Sequence, residues 1–146
     1  MALLPQAGRD TARAMSQENV EVYKRAVDAT NRRDLDALLD EFDPDVEWHS
    51  ALVGMGTEVY RGKQGIREMF RDADENFTGM VVEFPEVRDL GDRVLALGRL
   101  RAHGHESRVQ TEASFNQLAD FKNGKMIRIR SFLDRQDALE AAGLSE

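Results

Sequence analysis

Residues 80–133 read MVVEFPEVRDLGDRVLALGRLRAHGHESRVQTEASFNQLADFKNGKMIRIRSFL, and this stretch decides the fold. It divides into four long segments rich in β-branched and aromatic residues: Met80–Leu90, Arg93–His105, Arg108–Phe121 and Lys125–Leu133. The breaks fall at Gly91-Asp92, Glu106-Ser107 and Asn123-Gly124, so the segments predict an antiparallel meander. Asn123-Gly124 is the strongest turn signal, because a two-residue type I′ hairpin needs two positions that accept positive φ. A two-residue turn at Glu106-Ser107 pairs His105 with Arg108, and therefore Arg101 with Glu112.

The residues before this stretch have a different period. Val20, Tyr23, Ala26, Val27 and Thr30 recur at spacings of three and four and predict a helix over residues 17–32, with Ser16 as N-cap. Asp34 caps a shorter helix carrying Leu35, Leu38, Leu39 and Phe42, which Asp43-Pro44-Asp45 ends. Val46–Ser50 alternates as a strand, residues 51–60 read as a loop or ragged strand, and Ile66, Met69, Phe70 and Ala73 mark a third helix over 64–76. Asp134 N-caps a last short helix that closes at Gly143. Residues 1–15 read as an N-terminal extension and 16–144 as one domain. The apolar run Ala2-Leu3-Leu4 is too short for an export signal.

Composition narrows the classes. Twenty Lys and Arg against 27 Asp and Glu give a net charge of −7, so no basic surplus exists for nucleic acid. No apolar run is long enough for a membrane helix. The absence of cysteine excludes disulfides, thiolate metal sites and thiol nucleophiles, and makes a cytoplasmic address the expectation.

Helices followed by long antiparallel strands form an α+β layout, a curved sheet wrapping helices to leave a cone with an internal pocket. The order of elements, with DPDVEWHS (43–50), YRGKQGIREMF (60–70), NGKMIRIRSFLDR (123–135) and ALEAAGL (138–144), resembles the SnoaL-like branch of the nuclear transport factor 2-like (cystatin-like) superfamily over residues 16–144. The resemblance implies a pocket between helices and concave sheet face, a homodimer paired through the convex face, and acid–base residues on inward strand positions. Aligned on the NGK hairpin, Arg99 matches the arginine of limonene epoxide hydrolase-like members, whereas Arg101 and Ser131 stand where their two acids belong. SnoaL-like cyclases rely on a pocket Asp; Asp134 is the nearest candidate, and it also sits where a helix cap is needed.

The residues themselves give further candidates. Trp48, the only tryptophan, shares a strand face with Val46 and Ser50, as pocket wall or as core. Tyr23, Phe70 and Phe115 lie on apolar stripes open to the same two readings. Arg99, Arg101 and His103 share one strand face. If that face is concave, they suit a carboxylate or enolate oxygen; if convex, they form a cross-strand salt-bridged surface, and Ala96, Leu100, Ala102, Ala113 and Phe115 are the core. Ser131 alternates inward with Ile127, Ile129 and Leu133, while Arg128 and Arg130 point out. His103 and His105 lack a third ligand, and neither a metal nor a cofactor is expected.

Three functions follow as expectations: a cofactor-free acid–base enzyme acting on an apolar carbonyl or carboxylate compound, with His103 and Asp134 as catalytic candidates; a binding protein for a small hydrophobic molecule; or a dimer-forming module whose cone is filled by its own side chains.

Overall fold

The computed structural model describes residues 3–51, 59–104 and 110–144, with side chains from residue 14 onward in the first helix. The chain runs α1 (Leu3–Arg32), α2 (Leu35–Leu39), β1 (Phe42–His49), β2 (Val59–Arg61), α3 (Gly62–Asn76), β3 (Phe77–Asp89), β4 (Arg93–Gly104), β5 (Gln110–Lys122), β6 (Lys125–Phe132) and α4 (Arg135–Ala141). The six strands form one sheet in the order β2-β1-β6-β5-β4-β3. Every pairing is antiparallel except that of β1 with β6, which is parallel and closes the chain's two halves on each other.

The β3–β6 meander follows the sequence pattern closely. Asn123 and Gly124 take φ of 52° and 77°, as the type I′ reading requires. Arg101 pairs with Glu112, the predicted register, although the Glu106-Ser107 turn and the His105–Arg108 pair lie outside the described residues. Bulges add what alternation alone does not. On β3, Glu83 pairs with Arg99 and Glu86 with Leu97, so Phe84 and Pro85 together oppose the single residue Gly98. Such bulges bend a strand and increase its twist, and they curve the sheet around the helices.

Two expectations about the first half are corrected. The first helix does not begin at Ser16: it starts at Leu3, with Pro5 in the first turn where its missing N–H costs nothing. Ser16 therefore lies inside the helix and is no N-cap; its hydroxyl donates to Asp89 (2.9 Å). Phe42 is not the end of a helical stripe. It is the first residue of β1, because the Met126 amide captures the Glu41 carbonyl (3.0 Å) and draws the chain into the sheet beside β6. Asp34 caps α2 as expected, accepting from the Ala37 amide (3.2 Å).

Helices α1 and α3 cover the concave face. Their buried Tyr23, Ala26, Ile66, Met69 and Phe70 pack with Phe42, Val46, Ala96, Ala119 and Ile129 of the sheet. On the opposite face α4 packs Ala138, Leu139 and Ala142 against Leu95, Leu97 and Leu118. No helix among the described residues is long and apolar enough to cross a membrane.

Candidate ligand cavity

Alternation on the strands sorts side chains between the two faces, and the concave set meets the helices around a cavity of about 70 Å³. A single water needs roughly 10–15 Å³ on this measure and an apolar cavity that takes benzene about 150 Å³, so the space holds about five waters and admits a single ring only where the walls or the open rim give. Tyr23, Ala26 and Thr30 of α1, Trp48 of β1 with the following Ser50, Phe70 of α3, Phe115 and Gln117 of β5 and Ile129 of β6 are among its walls. Tyr23, Trp48, Ser50, Phe70 and Phe115 are thus brought together as the inward reading requires.

The remaining candidates are not. Arg99 and Arg101 do not line the cavity; they lie on the convex face with their side chains 52% and 39% exposed, paired with Glu83, and Arg99 also with Glu112 (3.6 Å). The cause is strand alternation. Phe115 faces inward opposite Gly98, so β4 turns Ala96, Leu100 and Ala102 inward and its arginines outward. His103 shares the outward parity and is exposed. Asp134 caps α4, accepting from the Gln136 amide (2.7 Å), and is exposed outside the cavity. On β6 a bulge leaves Met126 and Ile129 both lining the cavity, and Leu133 is 42% exposed rather than inward.

Ser131 takes a different place from the one expected. It does not line the cavity but stands behind its wall, accepting from Gln117 Nε2 (3.2 Å), whose Oε1 in turn accepts from the Tyr23 hydroxyl (2.7 Å). This chain satisfies the polar atoms of two residues that are almost fully buried, Tyr23 at 2% and Gln117 at 5% exposure. Burial pushes the Tyr23 phenol well above its usual value. The unfolded chain ionises at about pH 10, so this residue's contribution to stability is complete below that and falls as pH rises toward the raised native value. In an ultraviolet titration, the Tyr23 component, isolated as the difference between the wild type and Tyr23→Phe, is expected to appear only with unfolding. A difference component that ionises reversibly near pH 10 in the folded protein contradicts this.

Among the wall residues that the sequence did not single out as site residues, Gln117 and Arg33 carry the strongest polar groups. Gln117 was detectable, because it alternates with Phe115 and Ala119 on a strand whose inner face is otherwise apolar. Arg33 was not singled out because it falls between the end of one helix and the cap of the next. It lines the cavity at its rim, its guanidinium 5.6 Å from the Phe70 ring centroid. No carboxylate and no imidazole appear among the described residues that line the cavity. Nor do three His, Asp or Glu side chains converge to hold a metal among the described residues.

A helix-covered, curved α+β sheet with a mainly apolar cavity under its concave face defines a class of small pocket-bearing domains. The chain belongs to the SnoaL-like domain family, whose model matches residues 23–129. Solved structures of low identity share the fold. An NTF2-like protein of unknown function from Burkholderia pseudomallei K96243 superposes with a TM-score of 0.73 at 23% identity, over 84% of this chain and 95% of its own. TerC, co-crystallised with polyporic acid, gives a TM-score of 0.73 at 24% identity over 86% of this chain and 98% of its own. A protein described as a candidate polyketide cyclase, from Xanthomonas campestris pv. campestris, gives 0.69 at 16% over 88% and 98%. No curated protein sequence matches significantly.

Proposed function

We propose that this protein binds a compact, mainly apolar small molecule inside the cone. The observation that carries the reading is the cavity itself: Trp48, Phe70, Phe115 and Tyr23 surround a space that their own side chains leave open, with Gln117, Ser50 and Thr30 as the polar anchors. Concave apolar walls with a few placed polar groups are the usual form of a ligand site. The open space weighs against a cone filled by its own core. The co-crystallisation of TerC with polyporic acid supports a fold that receives organic molecules.

Binding is favoured over acid–base catalysis because proton abstraction needs a base within hydrogen-bond reach of the substrate. His103 and Asp134 are on the outside, and the polar groups of the described walls are a phenol held neutral by burial, an amide, the Thr30 and Ser50 hydroxyls and the Arg33 guanidinium, with no carboxylate or imidazole among them. The described walls all come from one chain, and pairing of two copies through the convex face, which the family implies, belongs to this proposal.

Melting curves with toluene, benzaldehyde, cyclohexenone and 4-hydroxybenzoate test the reading. A probe at about 100 times its Kd adds roughly 2.7 kcal/mol, which at about 2–4 °C per kcal/mol for a domain of this size raises Tm by about 5–10 °C. Flat curves across the panel at millimolar probe contradict it.

A further inference from the structure

We infer that Arg33 recognises an acidic group on the ligand, and that the cavity takes a compact ring carboxylate; this rests on the cavity being a binding site. Among the described residues two non-glycine residues take positive φ, Asn123 in its hairpin and Arg33, and arginine, unlike asparagine, is not a residue that this conformation favours. The end of α1 is a Schellman turn: the Arg33 amide donates to the Thr30 carbonyl (3.1 Å) and the Asp34 amide to that of Ala29 (2.9 Å). Arg33 occupies the left-handed position of this turn, with φ of 58°, where glycine is the usual residue.

An arginine there has a definite placement. Asn31, two residues earlier, clamps the end of α1 to β3: its Nδ2 donates to the Val82 carbonyl (2.9 Å) and its Oδ1 accepts from the Val82 amide (3.0 Å). From this fixed end the Arg33 side chain crosses the Phe70 ring. Both residues line the inner cavity, and both also line a groove of about 80 Å³ outside it, together with Leu35 and Asp74. With Thr30 and Leu38, which also line both, they stand between the two spaces.

The electrostatics select the ligand. Arg33 is the only side chain carrying a full charge among the described residues that line the cavity. Its carboxylate neighbour Asp74 lies 3.6 Å away with its side chain 59% exposed, and its Nη1 donates to the Thr30 carbonyl at a long 3.4 Å. An ion pair this long and this exposed is weak and exchangeable. A carboxylate arriving with an apolar ring in the cavity meets the guanidinium fork on the drier side, where two parallel N–H bonds can form. The apolar body then lies against Trp48 and Phe115, and the acid remains at the rim.

Trp48 is the only tryptophan and lines the cavity, so its fluorescence reports occupancy. The probes are benzoate and benzyl alcohol, a charged and an uncharged molecule of similar size. In the wild type both are expected to change the Trp48 emission, benzoate at about tenfold lower concentration. Arg33→Gly, which suits the left-handed backbone and so should not lower Tm, removes a wall side chain and is expected to weaken both probes, with benzoate then binding no better than benzyl alcohol; the ratio of the two affinities is the readout. Arg33→Lys, keeping the charge without the fork, should retain part of the preference. Equal binding of the two probes by the wild type, or a benzoate preference that survives in Arg33→Gly, overturns the assignment while leaving the cavity reading in place. If neither probe alters Trp48 emission in the wild type, both readings fall.

Discussion

Gly98→Ala is expected to lose about 3–5 kcal/mol of stability, a large part of the 5–15 kcal/mol typical of a domain. A Cβ on Gly98 would lie 1.8 Å from the Glu83 carbonyl oxygen, 2.8 Å from the Glu83 carbonyl carbon and 2.9 Å from the Phe84 Cα. These are backbone atoms, so no rotamer change relieves the overlap. They approach because β3 bulges there, with Phe84 and Pro85 facing the single residue Gly98. The bulge also has a consequence for the cavity wall. Phe84, inward with Val82 by plain alternation, packs against Tyr23 and Phe115 of that wall at ring centroid distances of 5.9 and 6.2 Å, and the extra residue shifts the inward parity to Val87 beyond it. Straightening β3 to admit a methyl group would therefore disturb the inner wall as well as the sheet. Urea denaturation measures the effect, and a loss below about 1 kcal/mol would show that the strand crossing is looser than described.

Ala26→Leu is expected to weaken ring-sized ligands at least about 100-fold while leaving the protein folded. Ala26 is 5% exposed, sits on α1 between Tyr23 and Thr30, and faces the cavity. Leucine is a good helix former, and its added carbons enter space that is open in the parent. Burying each added carbon is worth about 0.8 kcal/mol, so Tm should hold or rise. Loss of binding with retained or increased Tm separates occlusion from damage. Probe affinity unchanged in this variant would mean that the probe binds elsewhere.

Sequence legibility followed the reach of the interactions. Local chemistry was readable: Asp34 and Asp134 cap helices, Asn123-Gly124 turns a hairpin, and the spacing of Ile66, Met69, Phe70 and Ala73 gives α3. Pairing inside the meander was readable too, because a hairpin turn sets the register of both strands. Long-range pairing was not. The parallel contact of β1 with β6 joins segments some eighty residues apart, and it pulled Phe42 out of a helical spacing it fits equally well.

The site divided along the same line. Tyr23, Trp48, Ser50, Phe70 and Phe115 came from apolar periodicity, which burial enforces. Arg99 came to the pocket from an alignment, whereas its alternation with Gly98 and Leu100 and its register with Ser114 put it on the convex face beside Glu83. Physical periodicity was the better guide there. Arg33 had no pattern to announce it: its position follows from a turn geometry that ordinarily selects glycine, and only the packed structure shows the side chain at the cavity rim.

The central claim, that the cone is a ligand site, is tested most directly by crystals of the protein soaked in iodobenzene and measured at a wavelength with strong iodine anomalous scattering. The account predicts an iodine peak inside the cone among Trp48, Phe70, Phe115 and Tyr23, absent from Ala26→Leu crystals treated identically. Iodine found only on the outer surface, with the cone unoccupied in the wild type, would contradict it.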